Sequence, residues 1–432
     1  MTKTISTIGI ELFEAARQAA AKHFPPPFLQ MREEAWAAFQ SQGIPAAKHE
    51  EYKFTPIHKL ISKLNFSHTS EPPSFTSPDF ITKLKGIKLV FVNGLLDERN
   101  SDLEGLKQTG IKFYTLSEIA ENPTLFELFN SNVPNDTDAF AAINTALFPE
   151  GYVFHLPKNL TVDTPVYLVQ TYLASSADQA VFPRLMVVAE PNSEAKFTEF
   201  HLSEGNATVF AAPLTELYEK QDARIHYYKF DLGSDNLIQV QHTQVNQMAT
   251  AHYTNVTISL SGNTVRNNLN LKLDTDHADG NMFGLYLLED KTHVDNHTAV
   301  DHRKPHGESN ELYKGIMAGK STGVFNGKIY VRPKAQKTNA FQSNGNILLD
   351  DAATVHTKPQ LEIWADDVKC SHGCTVGQLD EEALFYLQAR GLSRTEAQAM
   401  LLVAFASEVI EKIKIDDLRE WVSEQIVSRL EA

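Results

Sequence analysis

The segment Val368-Lys369-Cys370-Ser371-His372-Gly373-Cys374-Thr375-Val376 concentrates the residue types best suited to metal and sulfur chemistry. On an extended strand, residues two apart share a face, so Cys370, His372 and Cys374 project together between Val368 and Val376. Thiolate and imidazole are ligand types that suit zinc, copper or iron. Same-face neighbours lie roughly 6.5 to 7 Å apart along a strand, so two of them converge on one ion more readily than all three. The same pattern fits two small thiols buried in a core beside the valines, as free cysteines commonly are. Spacing alone leaves both readings open.

Histidine forms a second concentration: His277, His293, His297, His302 and His306 fall close together. On a strand His293, Asp295 and His297 would share a face, and a carboxylate there could orient a metal-bound imidazole. Solvated strand edges and corners account for them equally well, given the surrounding Asp, Asn and Lys. Other chemistry is missing from the pattern. No G-x-x-x-x-G-K-[ST] phosphate loop occurs, so the chain is not expected to hydrolyse ATP itself. There is no G-x-S-x-G nucleophile elbow and no H-E-x-x-H zinc helix.

The 54 acidic residues outnumber 39 basic ones, for a formal charge of −15. Such a chain repels phosphate backbones unless basic residues are concentrated somewhere, and no such patch is visible, so nucleic acid is not an expected partner. No apolar run, including 400–406, approaches the ~20 residues that span a bilayer. The first ten residues show neither secretory nor transit-peptide character. Cys370 and Cys374 are the only cysteines and sit too close for a useful structural disulfide, which favours a reducing cytoplasm and leaves both thiols available.

Three regions position these groups. Residues 1–137 read as mainly helical with a short strand. Leu12, Ala15, Ala16 and Ala19 recur at helical spacing until Pro25-Pro26-Pro27, a second helix is expected over 28–39, a Ser/Thr/Pro-rich linker over 67–78 and a buried strand over 87–93. Residues 138–377 carry short β-branched segments separated by Gly, Asn and Asp, with strands expected over 256–260, 269–273, 282–288, 323–331, 345–349 and 361–364. Strands without intervening helices build a sandwich, a barrel or a solenoid, and no fixed-length repeat chooses among them. Residues 378–432 return to helix. Asp380-Glu381-Glu382 open one, Ser393-Arg394-Thr395-Glu396 form a capping box for a second that would bury Ala397, Met400, Leu401, Ala404 and Phe405, and a last helix carries Leu418, Val422, Ile426 and Leu430 in one stripe beside Trp421. That stripe needs a partner surface, within the chain or outside it.

Several blocks together resemble the SufB/SufD family of iron–sulfur cluster assembly proteins. They are Asp295-Asn296-His297-Thr298, Asp301-His302, Pro305-His306, Glu311-Leu312-Tyr313-Lys314-Gly315, Gly323-Val324-Phe325-Asn326-Gly327-Lys328, Ala335-Gln336-Lys337-Thr338, Gln342-Ser343-Asn344, Cys370-Ser371-His372-Gly373, Thr375-Val376-Gly377 and Phe385-Tyr386-Leu387. Weaker likeness reaches back through Phe140 to Ala146, Phe91-Val92-Asn93-Gly94 and Glu51-Tyr52-Lys53-Phe54-Thr55, with Tyr52 at a position where a Trp is expected. The Cys-Ser-His-Gly block is of the SufD type, and the further cysteines of the SufB type are absent.

The resemblance implies a right-handed parallel β-helix core between N- and C-terminal helical regions. It also implies a non-enzymatic scaffold that works with a SufB-type paralogue and a SufC-type ATPase, a nascent iron–sulfur cluster being built where the two paralogues meet. His372, supported by Cys370, would face that cluster, with Cys374 as a further candidate metal ligand, and the C-terminal helices at Leu418, Trp421, Val422, Ile426 and Leu430 would dock the ATPase. Ligand counting agrees, because a cluster wants four thiolates or their substitutes and this chain offers at most three groups. The cluster would be transient and shared, not held by the isolated chain, which could also pair with a second copy. Two readings compete: a stand-alone β-solenoid that binds zinc or another metal through Cys370, His372 and Cys374, and a β-helix enzyme acting on polysaccharide, for which no aligned set of acids and bases is apparent.

Overall fold

A computed structural model of the chain describes residues 5–20, 24–46, 48–64, 66 and 77–431. The linker expected at 67–78 therefore lies outside the described residues except for Ser77 and Pro78. Two long sheets dominate. The 10-stranded first sheet contains, in spatial order, Leu95–Leu96, Ile87–Val92, Val166–Leu173, Glu194–Glu204, Arg224–Leu232, His252–Ser261, Asp279–Leu288, Glu308–Met317, Asn339–Leu348 and Lys369–Gly377. The second has 11 strands. Its main path runs from Lys112–Tyr114 through Tyr152–Leu156, Arg184–Ala189, Leu214–Glu219, Leu237–Gln247, Thr264–Leu273, His293–His302 and Thr322–Val331 to Thr354–Ile363. From Tyr152 onward the chain winds back and forth between the sheets, strand for strand from Arg224–Leu232, and the strands of successive turns pair in parallel, as in Thr264↔His293 and Asp279↔Glu308. That is a β-solenoid; the sandwich and barrel are excluded.

The corners explain why the repeat was hard to see. Asn159, Asn192, Asp222, Thr250, His277, His306 and Lys337 all adopt positive φ and stack in one column. Each donates its backbone N–H to a carbonyl at the next corner, Asp222 to Ala249 and His306 to Gln336, for example. Asn and Asp tolerate this left-handed conformation best, yet the column also uses Thr, His and Lys. Its members are separated by 33, 30, 28, 27, 29 and 31 positions, so the turns match in space without matching in length. His277 and His306 belong to this column, their rings stacked 4.7 Å apart.

Helices cover the start of both sheets. The helix Pro26–Gln42 begins inside the proline triplet, which thus ends one helix and starts the next, proline being well placed where an N–H has no partner anyway. With Ala139–Leu147 it buries Phe28, Trp36, Phe39, Phe140 and Ile143 against Met186, Val188 and Val240 on the outer face of the second sheet.

The outer face of the first sheet is an apolar ladder, Val169, Phe200, Phe230, Ile258 and Leu285, in register. The C-terminal helices lie on it. In Asp416–Glu431 the stripe Leu418, Val422 and Ile426 is fully buried there, and Trp421 stacks on Phe80 and meets Phe200 and Phe230 edge-on. This corrects the expectation of a stripe open to a partner: the sheet itself supplies the apolar surface it needs. In Arg394–Ile410 the buried residues are Ala397, Ala399, Leu402, Ala406, Val409 and Ile410, whereas Met400 and Ala404 face solvent. The uninterrupted apolar run 400–406 carries no periodicity from which the inward face could be chosen.

Candidate functional site

The last strand, Lys369–Gly377, pairs only with Asn339–Leu348, in the register Ala340↔Cys370, Gln342↔His372 and Asn344↔Cys374. Ala340, Gln342 and Asn344 are buried and point into the solenoid, so the three residues singled out by spacing share the inward face. Each ends an interior ladder. Cys370 follows Tyr253, Gly280, Ser309 and Ala340; His372 follows Asn255, Met282, Glu311 and Gln342; Cys374 follows Thr257, Gly284, Tyr313 and Asn344. No further strand lies beyond them among the described residues.

The three differ in surroundings. Cys370 is half-buried beside Leu361, Ile329 and Ala340, and burial pushes its thiol pKa up. Cys374 is exposed, with its sulfur 3.1 Å from the Thr357 hydroxyl of the opposite sheet. His372 is exposed and hydrogen-bonded to no other described side chain. No group of three His, Cys, Asp or Glu side chains among the described residues is arranged to hold a metal ion. A straight strand spaces its same-face side chains too widely for all three to converge on one ion by themselves.

Behind His372 the interior turns polar. Gln342, its register neighbour, donates a 2.6 Å hydrogen bond to Glu311, which also accepts from Thr298. Glu311 is fully buried, and burial pushes its carboxyl up to about 7 against those two hydrogen bonds. Deeper still, Asp231 accepts from Gln239, Gln241, Ser259 and Asn267. Thr298, Glu311 and Gln342 belong to the resemblance blocks, but the sequence did not mark any of these groups as interior. Their signal was the alternation of Asn, Gln, Thr and Ser within strands, which reads as solvated when the strand's other face is also apolar.

The histidine concentration resolves into three environments. His277 and His306 are corners. His302 is interior, bonded to Ser309 at 2.9 Å, and burial lowers its pKa to about 4. His293 and His297 do share an outer face with Asp295, but as part of an ion-pair cluster. Arg266 reaches Asp295 at 2.8 Å and His297 at 3.1 Å, and lies over the Tyr52 ring. Thr55 bridges His293 and Asp295, and Glu51 pairs with Lys328 at 2.6 Å. His297 and Lys328 together hold Glu51 down to about 2, against its burial. Burial opposes the Asp295 charge, but His297 and Arg266 outweigh it and keep the carboxyl below its ordinary value. The block Glu51–Thr55 thus pins the N-terminal region onto the second sheet, a structural role for these histidines.

The edges of the last rung are open. Thr354–Ile363 and Lys369–Gly377 are the terminal strands of their sheets, mostly half-buried or exposed, with Pro359 in the first of them opposite Gly327. Phe341, Ile363, Trp364 and Val376 are exposed around them. On the neighbouring helices Phe385 is 72% exposed, Tyr386 60% and Met400 57%.

Comparison with known proteins matches most of the chain. The description "SUF system FeS cluster assembly, SufBD core domain" matches residues 172–405, more than half of the chain, and "SufBD protein N-terminal region" matches 4–168. The iron–sulfur cluster assembly protein SufD of Escherichia coli is 28% identical over 90% of this chain and 90% of its own. Its Bacillus subtilis counterpart is 27% identical over 98% and 99%. An iron–sulfur cluster assembly SufBD family protein of Synechocystis is 28% identical over 88% and 86%.

Proposed function

The chain belongs to the SufBD family, and from that premise we propose that it is a SufD-type, non-catalytic scaffold subunit that works with a SufB-type paralogue and a SufC-type ATPase in the cytoplasm. A role in iron–sulfur cluster assembly follows from the family; the partners and the residues are the proposal. The observation that carries it is the coincidence of an unpaired solenoid end with the inward-facing Cys370, His372 and Cys374.

Edge strands with free N–H and C=O groups are ordinarily blunted or covered. A paralogous solenoid presenting its own last rung would extend both sheets and bring further ligands opposite these three. The cluster is cargo here. His372 would offer an imidazole nitrogen and Cys370 a supporting thiol, and the remaining ligands would come from the paralogue. The ATPase would dock on Phe385, Tyr386 and Met400, the apolar surface that the C-terminal helices leave exposed.

Anaerobic co-expression with both partners tests this. His372→Ala is expected to leave the complex intact and abolish cluster accumulation, with Cys370→Ala weaker and Cys374→Ala mild. Full cluster yield from His372→Ala would overturn the assignment. Recovery of the isolated chain as a homodimer through the same edge would be consistent with it.

A further inference from the structure

Between the N-terminal region and the outer face of the second sheet lies a cleft of about 850 Å³, whose lining includes neither the last strand's thiols nor its imidazole. Its floor is Asn270 and Ala299, register partners on adjacent strands, and Ala299 puts no bulk into it.

Four cationic side chains from Lys and Arg line it, and three are already paired: Arg266 with Asp295, Lys328 with Glu51 and Arg332 with Asp301. Lys272 is the exception among the described residues. Its register neighbour Asp301 is committed to Arg303 and Arg332, and its ammonium instead holds the carbonyl oxygen of Asn132. That contact fixes the orientation of the Asn132 amide and leaves its nitrogen as a donor.

Two buried amide donors on residues that line the cleft have no partner among the described residues. They are Asn132 Nδ2 and Gln244 Nε2, on side chains from residues 5% and 2% exposed that both line it. Gln244 is the register neighbour of Asn270 on the other side of the floor. A buried donor with no acceptor costs about 1–3 kcal/mol, and an unpaired ammonium beside two such amides is the complement of an oxyanion. The lining acids are otherwise engaged, Glu51 by Lys328 and Asp138 by His242, leaving only Asp136 at the exposed rim.

We infer that this cleft binds a small organic molecule through an oxyanion head, phosphate or carboxylate, held by Lys272, Asn132 and Gln244. The volume exceeds that of a bare ion and admits a body of metabolite size, with Tyr330 and His49 on the walls.

Titration calorimetry of the full chain in chloride buffer, with inorganic phosphate and separately with citrate as probes, tests it. Saturable binding of at least one is expected, and the tighter one identifies the head group. Lys272→Gln should weaken it about tenfold or more, the scale of one charge-assisted hydrogen bond. Ala299→Leu, which fills the floor without changing charge, should weaken it comparably. Lys337→Gln, at a residue outside the cleft lining and paired with Asp367, should bind like the parent chain. Failure of both probes to bind, equal binding by the two cleft variants and the parent, or an equal loss in Lys337→Gln would overturn the inference.

Discussion

The two ends of the solenoid are built to opposite rules. At the start, Leu95–Leu96 and Lys112–Tyr114 close the sheet edges as antiparallel strands, and helices cover both outer faces. At the finish, both sheets simply stop. The outer ladder of the first sheet shows the gradient within one row: Phe200, Phe230, Ile258 and Leu285 give way to Lys314, Gly345 and Thr375. Lys314 marks the change, its ammonium bonded to the Phe405 carbonyl and lying over the Phe405 ring as the helical cover runs out. A chain that caps one end with its own described residues and leaves the other uncovered concentrates its packing at the first end, and the function proposed above puts its chemistry at the second.

The largest effect that would test this contrast is removal of the helix Asp416–Glu431. Truncation after Lys414 strips Leu418, Val422 and Ile426 from the apolar ladder. Large-to-small core changes cost about 2–5 kcal/mol each, so losing three together should abolish the cooperative melt. A truncated chain that melts like the parent would show that the helix is an accessory and restore it as a docking element. By contrast, Val376→Ser at the open end should shift the denaturant midpoint very little.

A mid-sized effect is expected at Glu311, just behind the open end. Its folded pKa of about 7 lies above the ordinary Glu value, so the folded state holds a proton that the unfolded state releases. Stability from this group therefore falls as pH rises from about 4.5 to 7 and levels off beyond, by up to about 3 kcal/mol. Glu311→Gln mimics the protonated form and should flatten that slope, gaining most over the parent at pH 8 in urea titrations. Parallel pH profiles for the two proteins would mean that Glu311 ionises normally in place.

The smallest effect distinguishes the two thiols. Cys374 is exposed, while Cys370 is half-buried with its pKa raised. Iodoacetamide at neutral pH should alkylate Cys374 first, as mass spectrometry of the digested chain would report. Binding of the paralogue should slow both. Equal rates in the free chain would indicate that the last rung frays.

What could be read from sequence followed the same division. The Cys370–Cys374 segment was legible because a strand's period of two puts alternate residues together wherever the strand lies. The solenoid was not legible from pattern, because corner spacing varies and positive φ is taken by Thr250, His277 and Lys337 as well as Asn and Asp; the family resemblance supplied it. The inward face of Arg394–Ile410 was misread because every residue of 400–406 is apolar. The links of Glu51 and Thr55 to the Arg266 cluster, and the Lys272 cleft, were invisible, since their members lie up to 277 positions apart and meet only through the fold.

An unpaired parallel edge is also a template for growth. Any extended segment that settles on Lys369–Gly377 gains a ladder of main-chain hydrogen bonds, and nothing in that strand forbids a second copy of this chain from supplying it. Pro359 removes one donor from the companion edge and so blunts extension there. Encounters between two such ends rise with the square of the concentration of unaccompanied chains. Matched synthesis with whatever covers the last rung is on this view a condition for staying out of filaments, and overproduction of the chain alone should be the circumstance in which it first fails.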